Sequence, residues 1–252
     1  MSSYQETAQQ IGSKVSFSYI VPDFANPTGE TLTLEQRVEL LRLVEDLNIP
    51  LVEDNPYGEI RFDGERSNSL LALDCQAKGS IENSRVIYCG SFSKVFMPGL
   101  RVGWVCASEE VINRLCLIKQ ASDLNSPAIN QRVMLSLAQQ QFDAQINKAK
   151  DSYRKKRNAM LAALADHMPS AVTWTKPEGG MFLWMTLPEE LDAAELLERS
   201  VREAGVAFVP GQAFFADKSG KNTLRLSYSL PSEQKIAEGI KKLGAIIRAA
   251  CS

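Results

Sequence analysis

Residues 90–104, GSFSKVFMPGLRVGW, gather chemically active side chains around one turn. Lys94 supplies an amine, and the hydroxyls of Ser91 and Ser93 come just before it. Arg101 follows in the same stretch, and a positive charge near a lysine lowers the pKa of its amine and makes it a better nucleophile. Two hydroxyls and a guanidinium suit a phosphate group. The stretch therefore predicts a site for an aldehyde cofactor carrying a phosphate, although surface loops often have the same composition.

Two upstream motifs, NPTG and DNPY, each follow a short apolar run that is typical of a strand. Open α/β sheets place their ligand contacts just beyond the ends of strands. From such a position Asp54 can hold a proton on a pyridine nitrogen, while Asn26 and Tyr57 can hydrogen-bond a phenolic oxygen of the same ring. A simple turn at Asn26, a capping role for Asp54 and mere packing of Tyr57 stay open as structural alternatives.

Six motifs in order, NPTG, DNPY, SFSK, PGLRVGW, PEGGMF and LRLSYS, resemble the class I/II aminotransferases of pyridoxal 5'-phosphate (PLP) fold type I. Within that family the chain is most similar to the 2-aminoadipate and kynurenine aminotransferase branch, from about Phe17 to the C-terminus. The resemblance implies PLP as cofactor and an α/β fold. It implies an incomplete, mainly parallel large-domain sheet flanked by helices at residues 1–145, followed by a C-terminal α+β small domain at residues 146–252.

The resemblance also implies roles for the residues that match the motifs of the family. Lys94 is expected to form the aldimine with PLP, and Asp54 to partner the pyridinium nitrogen. Asn26 and Tyr57 are expected to contact the ring hydroxyl, with Tyr57 counted as catalytic together with Lys94 and Asp54. The implied phosphate ligands are Ser91, Ser93 and Arg101.

Substrate binding is implied for Arg225, in the motif LRLSYS, and for Asn26. A guanidinium presents a planar fork that matches both oxygens of an α-carboxylate, which fixes the substrate Cα relative to the cofactor. Considered alone, Arg225 would more simply be a strand arginine paired with a surface acid.

The expected reaction moves an amino group from an amino acid to a 2-oxo acid, with Lys94 transferring the Cα proton. A lyase or decarboxylase on the same fold stays open, because the motifs do not specify the side chains that select the bond to be broken. An aminotransferase-like effector domain of a transcription regulator also stays open, although no basic helix-turn-helix stretch precedes Phe17.

Composition favours a cytoplasmic enzyme. The 252 residues are 44% hydrophobic and 23% charged, and a formal net charge of −2 argues against a nucleic-acid partner. The five cysteines include no C-x-x-C pair, which favours free thiols in a reducing compartment. A single histidine makes a zinc site or a Ser-His-Asp triad improbable, and the absence of a long apolar run argues against a membrane span.

Hydrophobic periodicity predicts an alternating α/β order. Arg101 follows Lys94 too closely for a helical crossover, so the strand that begins there should run antiparallel to the one before it. The predicted strands are 16–21, 50–53, 86–89, 101–106, 172–175, 181–186, 206–209 and 223–227. The predicted helices are 33–47, 109–120, 128–167, 193–204 and 232–249.

Family members carry further strands and helices before their NPTG strand. We therefore expect that some contacts to the cofactor phosphate and ring, and segments of the homodimer interface of the intact family, are missing here. The remaining sheet is then expected to expose apolar surface.

Overall fold

The computed structural model of the chain describes residue 12 and residues 14–251. These residues form two compact units. The first contains the residues up to Pro22 together with Leu32–Glu59 and Glu65–Ile146; the second contains Asp23–Thr31, Ile60–Gly64 and the residues from Asn147 onward. The domain boundaries 1–145 and 146–252 stay a prediction.

The first unit is built on a four-stranded sheet with the strand order β1-β2-β3-β4. Its strands are β1 (Ser18–Ile20), β2 (Leu51–Asp54), β3 (Val86–Ser91) and β4 (Gly103–Cys106). The first three strands are parallel, so their carboxyl ends share one edge. As predicted, β4 runs antiparallel to β3.

Local capping explains where the helices of the first unit begin. Helix α1 (Leu34–Asp46) begins after Thr33, which forms the predicted capping box with Gln36. Helix α2 (Leu70–Lys78) was not predicted; its first N–H groups, those of Leu70 and Leu71, each donate to the buried Glu53 carboxylate at 2.9 Å. A carboxylate at a helix N-terminus is stabilised by the helix dipole. Helix α3 (Glu109–Ser122) follows β4.

The two faces of this sheet differ in their surroundings. One face carries Leu51 and Val86, which pack with α1 and α2 residues in the hydrophobic core. Side chains alternate along a strand, so Val52 and Asp54 of β2 lie on the opposite face, where they are half-buried. The face opposite the core therefore carries the end of β2 where a polar cluster was predicted.

The second unit is an antiparallel sheet with helices. Its strand order is β5-β6-β8-β7, with β5 (Thr173–Trp174), β6 (Phe182–Thr186), β7 (Val209–Pro210) and β8 (Thr223–Ser227). Helix α4 (Ala128–His167) begins in the first unit and continues into the second, which also contains α5 (Ala193–Ala204) and α6 (Glu233–Ala250). Within the described residues, none of the helices has the length and apolar character that a membrane span requires.

The strand predicted at 206–209 is wrong over most of its length, because only Val209 and Pro210 pair with β8. Val206, the first residue of the predicted strand, is hydrogen-bonded to the end of α5 instead. Its N–H donates to Ser200 O at 3.3 Å, and Ser200 Oγ donates to Val206 O at 2.8 Å. These bonds close the helix C-terminus around Gly205, which has a left-handed backbone.

Candidate active site

Lys94 lies in the turn that follows β3, and its side chain is exposed. Backbone hydrogen bonds shape this turn: the N–H groups of Phe96 and Met97 both donate to Phe92 O, at 3.0 and 2.9 Å. Phe92 N–H in turn donates to Val102 O at 3.2 Å, which closes the loop. The exposed Lys94 side chain is accessible to a ligand.

Ser91, Ser93 and Arg101 form a connected set beside Lys94. Ser93 N–H donates to Ser91 Oγ at 3.0 Å, and Arg101 Nη1 donates to Ser93 Oγ at 3.1 Å. Each hydroxyl oxygen accepts a bond and keeps its own proton to donate. Two hydroxyl protons and a guanidinium form a donor set that a phosphate dianion can use, so the three residues fit the predicted phosphate site.

Aromatic packing anchors this turn to β4 and α4. The Phe92 ring centroid lies 4.8 Å from that of Trp104 and 6.1 Å from that of Phe142, and Phe96 lies 5.8 Å from Phe142. Gly90 pairs with Trp104 across the strands, and a Cβ on Gly90 would overlap the indole. Glycine at this position is therefore explained by a close approach of the Trp104 ring.

Asp54 lies at the carboxyl end of β2 and accepts a hydrogen bond from the Tyr19 hydroxyl of β1 at its Oδ2 atom. Desolvation and then the hydrogen bond to Asp54 raise the pKa of Tyr19, so its phenol stays protonated at neutral pH. Across residues 14–251, no other hydrogen-bond donor to the Asp54 carboxylate is found.

Tyr57 is buried in the loop that follows Asp54, with 6% of its surface exposed. Asn55 fixes this loop at two points: its N–H donates to Cys89 O at 2.9 Å, and its Oδ1 accepts the Gly58 N–H at 2.9 Å. An asparagine side chain that accepts a nearby backbone N–H stabilises a turn of this kind. The DNPY motif is therefore a constrained turn that begins at Asp54.

The second unit joins Asn26 and Arg225, the two residues predicted to bind the substrate. Arg225 belongs to β8, and its Nη1 donates to Asn26 Oδ1 at 2.5 Å. The guanidinium carbon lies 4.3 Å from the centroid of the Phe182 ring and 5.3 Å from that of the Phe214 ring. Aromatic faces attract and orient a planar cation, so the position of this guanidinium is well determined.

The turn that carries Asn26 is held against β6. Gly29 has a φ of 73°, a value that favours glycine, and a Cβ there would lie 2.5 Å from Phe182 O. In the same turn, Thr28 O accepts a hydrogen bond from Thr175 Oγ1 at 2.8 Å. The NPTG motif therefore has a packing role, and the role of Asn26 toward cofactor and substrate stays a prediction.

The structure thus brings together Ser91, Ser93 and Arg101 in the first unit, and Asn26 and Arg225 in the second. Asn26 and Tyr57 belong to different units, and their shared contact to a ring oxygen stays a prediction. Sequence reasoning missed Tyr19 and the two rings that stack on Arg225. An aromatic residue on a predicted strand is usually interpreted as packing, and only the pairing register reveals its neighbours.

The model of the family described as aminotransferase class I and II matches residues 20–243. The chain belongs to this family. The match extends from β1 to α6 and includes each of the predicted site residues.

Three relatives show the extent of the similarity. The aromatic-amino-acid aminotransferase 1 of Thermococcus litoralis is 44% identical over 94% of this chain and 55% of its own length. The kynurenine aminotransferase of Pyrococcus horikoshii, solved with PMP, superposes with a TM-score of 0.90 at 40% identity, over 98% of this chain and 59% of its own. The alpha-aminoadipate aminotransferase of Thermus thermophilus, complexed with N-(5'-phosphopyridoxyl)-L-leucine, superposes with a TM-score of 0.89 at 39% identity. This match covers 99% of this chain and 63% of the other.

These similarities confirm the predicted family and the predicted fold class, fold type I. The chain nevertheless spans less than two thirds of the length of each of these relatives.

Proposed function

We propose that this chain carries the catalytic residues of a PLP-dependent aminotransferase, which moves an amino group between an amino acid and a 2-oxo acid. The observation that carries the proposal is the connected set Ser91, Ser93 and Arg101 beside the exposed Lys94. A phosphate donor set next to an accessible amine is what an aldehyde cofactor with a phosphate requires. Two related structures, solved with PMP and with a phosphopyridoxyl group, support the same cofactor.

Each side chain has a separate task in this proposal. When bound, PLP supplies the aldehyde that exchanges the amino group and a ring that stabilises negative charge at the substrate Cα. Lys94 binds the cofactor covalently and moves the proton at the substrate Cα. Asp54 would accept a hydrogen bond from the protonated ring nitrogen, and Tyr57 would contact the ring hydroxyl.

In the second unit, Arg225 binds the α-carboxylate of the substrate, and Asn26 contacts both the ring hydroxyl and the substrate. The stacked guanidinium supports this role for Arg225, because its orientation is set before a carboxylate arrives. Its Nη1 atom already donates to Asn26, which links the two substrate residues.

We also propose that the protein is a cytoplasmic homodimer. All five cysteines are free in the described residues, which supports a reducing compartment. Exposed large apolar side chains of the first unit, such as Leu117 and Ile118, support association with another surface.

The test is transamination by the purified chain with added PLP, a panel of amino acids that includes glutamate, tyrosine, kynurenine and 2-aminoadipate, and a 2-oxo acid acceptor. Lys94→Ala removes the nucleophile and the proton carrier, so turnover should fall by at least about a thousandfold. Chromatography of the 2-oxo acid product measures this loss. The matched control is Lys119→Ala, which removes an exposed α3 lysine paired with Asp123 and should leave turnover unchanged.

Equal turnover in Lys94→Ala and the unaltered chain would refute the assignment of Lys94. Failure of the unaltered chain to bind PLP would refute the proposal that this chain holds the cofactor.

A further inference from the structure

Tyr19 and Asp54 lie on the same face of the first unit's sheet. In the parallel pairing of β1 and β2, Tyr19 is opposite Val52, and Asp54 is two residues further along β2. Because side chains two residues apart on a strand share a face, Tyr19 and Asp54 do so as well. Cys89 is paired with Asp54, so Ser91 of β3 shares this face too. The register therefore puts the phenol of Tyr19 on the face that carries Asp54 and Ser91.

We propose that Tyr19 is a positioning residue for Asp54: its hydroxyl holds Oδ2 and directs Oδ1 toward the ring nitrogen of the bound cofactor. The proposal rests on the proposed function. A carboxylate has two acceptor oxygens, and Tyr19 donates to one of them. The other oxygen is then left for the proton on the nitrogen.

A phenol is well suited to this task because it orients the carboxylate without neutralising it. A lysine or arginine in the same place would offset the negative charge that the protonated ring nitrogen needs as a partner. A hydrogen bond from a neutral donor to an ionised acceptor is short and directional, and it leaves the net charge of the pair at −1. The raised pKa of Tyr19 agrees with a phenol that keeps its proton and acts as a donor.

A purely structural role for Tyr19, joining β1 to β2, makes different predictions. Tyr19 is 55% exposed, and the backbone pairing of the two strands does not need its hydroxyl. Tyr19→Phe keeps the aromatic ring of the side chain and removes only its hydroxyl. If Tyr19 positions Asp54, the substitution should weaken the binding only of a cofactor that has a ring nitrogen. If its role is structural, the substitution should weaken binding whether or not that nitrogen is present.

The experiment compares the binding of PLP with that of 1-deaza-PLP, in which a C–H group replaces the ring nitrogen, by equilibrium dialysis. Tyr19→Phe should weaken PLP binding by about three- to tenfold, the scale of the net contribution of one typical hydrogen bond, and leave 1-deaza-PLP binding unchanged. Tyr153→Phe, a half-buried tyrosine of the second unit, is the matched control and should change neither. Circular dichroism and thermal unfolding check that each variant is folded.

A second readout needs no cofactor. In the chain labelled with 13C at tyrosine Cζ, Asp54→Asn should shift the Tyr19 resonance and leave that of Tyr153 in place. A Tyr19 resonance that does not respond to Asp54→Asn overturns the proposal, since the hydrogen bond is then absent in solution.

The remaining outcomes separate this inference from the proposed function. If Tyr19→Phe weakens the binding of PLP and of 1-deaza-PLP equally, the role of Tyr19 is structural; if it weakens neither, Tyr19 has no role. Either result overturns the inference. PLP binding by the unaltered chain would still uphold the proposed function. No PLP binding by the unaltered chain overturns the proposed function and the inference together.

Discussion

The two units of this protein differ in how they use their apolar residues. In the second unit, α6 buries a row of residues, and the central strands contain fully buried Leu183, Met185 and Leu224. In the first unit, α3 buries no residue, β4 is exposed along its length, and Leu117 and Ile118 are each 62% exposed. The second unit therefore has an extensive core, while the first concentrates its core on the face of the sheet that contacts α1 and α2.

The more extensive core and most of the residues proposed to bind PLP therefore belong to different units. Except for Asn26, the residues proposed to bind PLP belong to the first unit, and Asp54 and Ser91 lie on the sheet face opposite its core. The sequence also predicts exposed apolar surface on the sheet, and Trp104 and Val105 of β4 are each 40% exposed. Substitutions should therefore cost most in the second unit's core and least on α3.

The largest loss of stability is expected from Leu243→Ala in α6, where the side chain is fully buried. Removing a buried leucine costs about 2–5 kcal/mol through lost burial and a residual cavity. Urea unfolding measures this loss, with Trp104 replaced by Phe so that Trp174 and Trp184 report the second unit. A loss below about 1 kcal/mol would show that this core is loosely packed.

A smaller loss is expected from Glu53→Gln in the first unit. The buried Glu53 carboxylate accepts two backbone N–H groups at the start of α2, whereas an amide has one acceptor oxygen and turns an NH₂ donor toward the other N–H. We expect a cost of about 2 kcal/mol in urea unfolding followed by Trp104 fluorescence, with Trp174 and Trp184 replaced by Phe. Glu59→Gln, which alters a surface pair with Arg66, is the control and should cost under about 1 kcal/mol.

The smallest change is expected from Leu117→Gln on α3. An exposed side chain contributes little to folding, so the free energy of unfolding should change by less than about 0.5 kcal/mol, and the solubility of the chain should rise. Urea unfolding and the concentration at which the chain precipitates measure the two effects. A cost similar to that of Leu243→Ala would mean that Leu117 is buried in solution and that the contrast between the units does not hold.

Local signals predicted much of the fold. The capping box of Thr33 and Gln36, the antiparallel β4 and the long helix Ala128–His167 each follow from nearby residues. Helix α2 was missed although the Ser69 side chain caps its first turn; the second group that holds this turn, Glu53, lies far from it in sequence. The 206–209 strand was wrong because a helix cap competed for the same backbone groups.

In the candidate site, too, contacts between residues that are distant in sequence were not predicted. The motifs and the family resemblance predict which residues serve the cofactor, and this stays a prediction; the structure shows that Ser91, Ser93 and Arg101 are connected by hydrogen bonds. The partners of Asp54 and Arg225 were not predicted, since they depend on strand register and on aromatic rings from other elements.

Reductive trapping tests whether Lys94 is the residue that binds the aldehyde of PLP. The chain is incubated with PLP, reduced with borohydride and digested, and its peptides are mapped by mass spectrometry. We expect one phosphopyridoxyl group at stoichiometric yield on Lys94, and we expect this label to disappear in Lys94→Ala. A label spread over several surface lysines, or one that persists in Lys94→Ala at the same yield, would contradict this assignment.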